Sequence, residues 1–173
     1  MELIKYPNPI LSKKCTNVEI GDPEILDVLN MMSQKLYEWE GAGLAAPQVG
    51  ILKRVVVIDI RSEPKRLYKL INPKIIWKSE EMVESQEGCL SLPILKDTIL
   101  RHESVGVEYL DEKFQRQEVT ATGFLSCCMQ HELDHLDGIL YIDHLSKLKK
   151  SIAIKRFNKL QEEKNHEYEL NNE

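Results

Sequence analysis

The chain has 173 residues, 42% hydrophobic and 29% charged, with a formal net charge of −5. That length suits one domain with a sizeable core, expected to span residues 1–173, and the composition is that of a soluble globular protein. The acidic balance argues against nucleic-acid binding by bulk electrostatics, and no apolar run is long enough to span a bilayer.

The first residues, Met1-Glu2-Leu3-Ile4-Lys5-Tyr6-Pro7, lack the apolar core and cleavage site of a secretory signal. A cytoplasmic protein is therefore expected, and it is read as a monomer. Its thiols stay reduced there, and adjacent Cys127 and Cys128 make a poor disulfide framework beside Cys15 and Cys89. At least one cysteine is thus available as a metal ligand or as a small buried apolar residue.

Residues 1–20 contain Pro7-Asn8-Pro9 and read as an extended arm. Asp22 is expected to cap a helix with Pro23 at its first position. Ile25, Val28, Leu29, Met32, Leu36 and Trp39 then recur at helical spacing. Gly41 is expected to end this helix in a left-handed conformation. The stretch from Gly41 to Gly50 is small and glycine-rich and reads as a tight linker with one amide, Gln48. Its glycines permit close backbone approach, and without a Gly-Lys-Ser/Thr ending it is a poor phosphate loop.

Strands are expected over 54–60, 67–71, 75–78, 81–85, 105–110 and 118–122, with Asp111-Glu112-Lys113 as a hairpin turn. No helices intervene, which favours antiparallel pairing. Glu87-Gly88-Cys89-Leu90-Ser91-Leu92-Pro93 reads as an irregular strand-edge segment, where Cys89 alone would be taken for a buried structural cysteine. A second helix is expected over 123–136, ending at Asp137-Gly138, and a third over 145–164. Leu145, Leu148, Ile152, Ile154, Phe157 and Leu160 form its apolar side, and the polar tail 165–173 is expected to fray. The fold class is α+β, with antiparallel sheets packed around a central metal-binding helix and flanked by N- and C-terminal helices.

That central helix carries Gln130-His131-Glu132-Leu133-Asp134-His135. Histidines four apart share one helix face and can converge on one metal ion. Glu132 lies between them, placed to take a proton from an attacking water rather than to bind the metal. The alternative is a solvated helix bearing two unrelated histidines. Catalytic centres of this type use three protein ligands and leave one position open, and spacing leaves the third unsettled. Gly138 fits a metzincin continuation, but Tyr141 stands where the third histidine belongs. A thermolysin-type glutamate is poorly supported, since Lys159 falls near that spacing, with Glu162 and Glu163 close by. His144, Cys127, Cys128 and Cys89 remain.

Three stretches resemble the signature motifs of peptide deformylases: Gly41-Ala42-Gly43-Leu44-Ala45-Ala46-Pro47-Gln48, Glu87-Gly88-Cys89-Leu90-Ser91, and Gln130 to Gly138. Their order and gaps match too, and three motifs in register are more specific than His-Glu-x-x-His alone. The resemblance implies that Cys89, His131 and His135 bind one divalent metal, natively Fe2+, with Zn2+, Ni2+ or Co2+ able to replace it. It implies Glu132 as general acid and base, Gln48 and the Leu90 backbone N–H as oxyanion donors, and Gly43 approaching the substrate backbone. Ala42, Leu44, Glu87, Gly88, Cys127, Cys128 and Arg101 would form the methionine pocket and its frame, with Glu87 and Arg101 an ion pair bracing the cysteine segment. The implied reaction removes the formyl group from N-formyl-methionine of nascent chains and releases formate. A formyl carbon bears only hydrogen, so a tight site can exclude acetyl.

Three positions depart from the family pattern. Ala42 replaces a larger branched residue, Lys96 stands where many members carry a peptide-holding arginine, and His144 stands where many relatives have arginine. From His144 to Lys164 there are seven Lys or Arg against two Glu. Such a basic helix can dock on RNA phosphates, and in similar deformylases it is thought to meet the ribosome. Two other functions are weighed: a His-Glu-x-x-His peptidase, which needs neither the Gln48 loop nor Cys89, and a non-catalytic metal protein, which has no use for Glu132.

Overall fold

The structure, a computed structural model, describes the backbone of residues 1–170 and the side chains of residues 1–163. Helix α1 spans Glu24–Glu38. Asp22 Oδ1 accepts from the Glu24 backbone N–H at 3.0 Å, so the capping chemistry expected of Asp22 is present. The helix begins one residue later than expected, with Pro23 as its cap. The left-handed residue after it is Glu40, at φ 54°, and not Gly41. Gly41 serves space instead: a Cβ there would lie 2.9 Å from Leu90 Cδ1.

Seven strands follow: β1 Gly43–Ala45, β2 Val55–Ile58, β3 Tyr68–Lys78, β4 Met82–Cys89, β5 Leu92–His102, β6 Ser104–Leu110 and β7 Arg116–Thr122. Five form an antiparallel sheet in the order β1-β2-β3-β6-β7, while β4 and β5 form a separate two-stranded ribbon. The strands expected over 67–71 and 75–78 are one strand, because the sheet absorbs Asn72-Pro73 in a bulge. Asn72 takes φ 51°, and its side-chain amide pairs with both backbone groups of Val18 at 2.8 and 2.9 Å. Neither β1, inside the expected linker, nor β5, across Pro93, was anticipated.

Helix α2 spans Gly123–Leu136, the bounds expected from sequence. Met129, Leu133 and Leu136 pack on Val56, Ile58, Leu70, Val105 and Val107 of the five-stranded sheet. Burying these apolar faces contributes roughly 25 cal/mol per Å² removed from water. The His131–Glu132–His135 arc consequently faces the gap between β1 and the ribbon. The N-terminal arm closes one end of that gap: Ile4 N donates to Gln48 O and Tyr6 N to Ser91 O, both at 2.8 Å.

Helix α3 spans Lys147–Leu170 and starts two residues later than expected. Ala153 and Phe157 pack against Leu11, Leu92, Leu95, Tyr141 and Ile142. Leu148 and Ile152, expected on its apolar side, are 71% and 58% exposed, since the packed stripe runs through Ala153, Ile154 and Phe157 instead. The tail assigned to 165–173 overlaps α3 as far as Leu170, and 171–173 lie outside the described residues. Among the described residues no helix is long and apolar enough to cross a membrane.

Candidate metal centre

One turn of α2 presents His131 and His135, 8% and 1% exposed. Cys89, the last residue of β4, meets them across the gap. The donor atoms of Cys89, His131 and His135 all lie within 4.8 Å of one another, with Cys89 Sγ 3.3 Å from His135 Nε2. This geometry, rather than spacing along the chain, makes Cys89 the candidate third donor. Cys127 and Cys128 instead line the neighbouring cleft. His144 pairs with Asp134 at 2.7 Å, and Tyr141 stacks on His131 with ring centroids 6.0 Å apart. Glu162 and Glu163 are exposed on α3.

The donor set fits a borderline divalent cation. One thiolate and two imidazoles are a recognised ligand mix, and three donors leave a position for substrate or water. His131 Nδ1 is taken up by Glu87 Oε2 at 2.7 Å, which leaves its Nε2 for a ligand bond. Burial pushes the Cys89 thiol up, but the charge of His135 and the hydrogen bond of His131 outweigh it and hold the group well below its ordinary value. The thiolate is the ligating form. His135 Nδ1, also buried, has no hydrogen-bond partner among the described residues.

Glu132 points into the same space. It is 5% exposed, and its Oε2 is a buried carboxylate oxygen without a hydrogen-bond partner among the described residues. Burial raises its pKa, opposed by His131 and His135. Strand β1 runs directly over it: a Cβ on Gly43 would sit 2.3 Å from Glu132 Oε1. Gln48, 1% exposed, lies on a 3-10 turn over Ala46–Val49, not on a surface linker. Its Oε1 accepts from Ala45 N at 2.9 Å. Its Nε2 donates toward Cys89 Sγ at 3.4 Å and Ser91 Oγ at 3.2 Å. Ser91, fully buried, was not singled out from the sequence, although it closes the Glu-Gly-Cys-Leu-Ser stretch.

A cleft of about 600 Å³ opens from the centre. Ala42, Gly43, Gly88, Leu90, Cys127 and Cys128 line it, as do Trp39, Ile94 and Phe124, which sequence reasoning missed. Phe124 is 60% exposed at the start of α2, an unusual exposure for a large aromatic residue and the signal that marks it. Two expected pocket residues do not line the cleft. Leu44 is fully buried in the core beneath α1, because successive strand residues point to opposite faces and Gly43 takes the cleft side. Arg101, 4% exposed, sits behind Glu87 as its partner.

That pair is bidentate: Arg101 Nε donates to Glu87 Oε1 at 2.8 Å and Nη2 to Oε2 at 3.0 Å. Burial pushes the Glu87 carboxyl up, but Arg101 and His131 outweigh it and bring the pKa down from 4.5 to about 2. A carboxylate lowered in this way contributes stability above its unfolded value, lost as pH falls from 4.5 toward 2. The depression corresponds to about 3 kcal/mol at neutral pH. Glu87→Gln should therefore unfold with about 3 kcal/mol less free energy at pH 7 and lose much of the wild type's acid-sensitive limb. Urea titrations between pH 3 and 7 test this; equal stability at pH 7 would refute it.

A family model described as polypeptide deformylase matches residues 1–151. The chain is 42% identical over 159 residues to a peptide deformylase of Rhizobium meliloti, covering 91% of each. It is 43% identical over 159 residues to one from Thermodesulfovibrio yellowstonii, covering 91% of this chain and 96% of that one. Among solved structures, the peptide deformylase of Ehrlichia chaffeensis superposes with a TM-score of 0.89 at 34% identity, covering 95% of this chain and 98% of that chain. A structure of the Ehrlichia chaffeensis protein in complex with actinonin gives 0.87 at 36% identity, covering 92% and 96%.

Proposed function

The chain belongs to the polypeptide deformylase family, and from that premise we propose what each residue of its centre does. The protein is a hydrolase that removes the formyl group from N-formyl-methionyl peptides and releases formate. Cys89, His131 and His135 hold the divalent metal of this metalloenzyme, natively Fe2+, with Zn2+, Ni2+ or Co2+ as substitutes. The cation, when bound, polarises a carbonyl and makes water acidic enough to react near neutral pH.

The chain's own groups do the rest. Glu132 Oε2 takes a proton from the attacking water and delivers it to the methionine nitrogen as the C–N bond breaks. The Gln48 Nε2–H and the Leu90 backbone N–H donate to the formyl oxygen as it gains charge. Gln48 is held for this by the Ala45 N–H on its other end. Strands β1 and β4 each have one hydrogen-bonded neighbour, so an extended peptide can lie between them and bond to their free edges. Leu90, Cys127, Cys128 and Phe124 receive the methionine side chain, and Gly43 lets the peptide backbone come close.

The observation that carries this reading is the unpartnered, buried Glu132 Oε2 beside a Cys/His/His trio. A water that donates to the carboxylate, and a leaving nitrogen to receive the proton, are what such a group lacks. The wild-type chain, loaded with Fe2+ or Ni2+, should release formate from formyl-Met-Ala-Ser, lose that activity on metal chelation, and leave acetyl-Met-Ala-Ser intact. Absence of formate, or release that survives full metal removal, would sink it. The protein works as a cytoplasmic monomer of one domain, and the basic α3 contacts ribosomal RNA. Failure to co-sediment with ribosomes at low salt would remove that last role.

A further inference from the structure

We propose that His144 is a positioning residue for the metal centre, acting through Asp134, Arg101 and Glu87 on His131. The proposal rests on reading Cys89, His131 and His135 as the ligand trio. Four contacts make a continuous chain. His144 Nε2 lies 2.7 Å from Asp134 Oδ2. Arg101 Nη1 donates to the same Asp134 oxygen at 2.7 Å. The remaining guanidinium nitrogens grip both oxygens of Glu87, and Glu87 Oε2 lies 2.7 Å from His131 Nδ1.

The outer two links are partly exposed and the inner two are buried. The side chains are 37% exposed at His144, 21% at Asp134, 4% at Arg101 and 6% at Glu87. The inner links are packed on all sides, so the Asp134–His144 contact is where the chain loosens first. His144 and Arg101 both aim at Asp134 Oδ2, with 3.3 Å between His144 Nε2 and Arg101 Nη1. Nε2 approaches a carboxylate oxygen, which can only accept, so the proton is assigned to Nε2 and the imidazole donates to Asp134. Without it, Asp134 at the surface regains rotamers, Arg101 Nη1 loses a fixed acceptor, and the planar fork that fits Glu87 is free to tilt.

The consequence reaches both sides of the centre. Glu87 fixes His131 from its far nitrogen and lies two residues before Cys89 on β4. Among the described residues no equivalent group steers His135, whose Nδ1 has no hydrogen-bond partner there. His144 also ends the 3-10 turn Tyr141–His144, whose first residue stacks on His131. One short turn thus touches the ligand directly at one end and through the ion-pair chain at the other.

Partners of a ligand histidine typically change metal affinity or activity about 10–100-fold. Three links beyond that partner, His144→Leu should speed metal release from the Ni2+-loaded or Co2+-loaded full chain by a smaller factor, about three- to ten-fold. It should alter the visible spectrum of the Co2+ form and lower kcat with KM unchanged. His144→Gln places an amide N–H within reach of Asp134 and should restore release to within about two-fold of wild type. In a Glu87→Gln background, His144→Leu should add nothing. Equal release rates for wild type and His144→Leu, no rescue by glutamine, or additive effects with Glu87→Gln would each overturn the proposal. Formate release by the wild type is read separately, so its failure would count against the deformylase roles and not against this chain of contacts.

Discussion

Glu132→Gln is expected to lower kcat by about 10²–10⁴-fold while the metal stays bound. The carboxylate is not one of the three clustered donors, so its loss leaves them in place. Glutamine has nearly the same shape, so the packing under β1 survives. What disappears is the base: an amide cannot take a proton from water at neutral pH. The sign of the stability change separates this from damage to the fold. Burial raises the Glu132 pKa, so the group opposes folding increasingly as pH rises above the ordinary carboxylate range. Removing the charge should leave the metal-free variant at least as stable as the metal-free wild type at pH 7. The expected variant is therefore inactive, metal-replete when loaded and, once stripped of metal, no less stable. Formate release, metal content and a thermal melt measure the three properties. Undiminished kcat, or a metal-free variant, would refute the assignment of Glu132 as base.

The parts of this site differ in how openly the sequence displays them. Helix α2 was legible to the residue, because the His131–His135 spacing and the Gly138 stop both act within one element. Gly138 takes φ 75°, as a residue ending a helix in this way should. The third donor was not legible from spacing, because Cys89 lies on another element and reaches the histidines only through tertiary folding. Strand β5 was hidden by Pro93 and by Ile94, which takes φ 75°, outside the extended region for a β-branched residue. Strand β1 was hidden by its brevity and its glycines. Missing β1 had a direct cost: once Gly43-Leu44-Ala45 is a strand, alternation alone sends Leu44 to the core and Gly43 to the cleft. The Arg101–Glu87 pair was suggested by resemblance, yet nothing in the sequence joined it to Asp134 and His144.

Gly43→Ala is expected to lower kcat/KM by at least about 10²-fold, the scale of a 1 Å misplacement of a catalytic group. The cause is space, not backbone freedom, since Gly43 is absent from the residues with positive φ. An added Cβ would stand 2.3 Å from Glu132 Oε1 and 2.7 Å from its Cδ and Cγ. The two backbones are held in place. Gly43 is held in register opposite Ile58, and Glu132 sits on a helix packed against the sheet core. Glu132 must therefore turn away from the position its base role needs, or β1 must shift and carry Ala42 with it. The two routes are separable by a double-mutant cycle. If the methyl acts by displacing Glu132, it should cost little further activity in a Glu132→Gln background, where the base is already gone. If β1 and the peptide path shift instead, the losses should multiply and KM should rise. Displacement of the carboxylate is the expected route, because a side chain reorients at less cost than a strand hydrogen-bonded to its neighbour. Activity of Gly43→Ala within about threefold of wild type would show that Glu132 does not need the position in which β1 confines it.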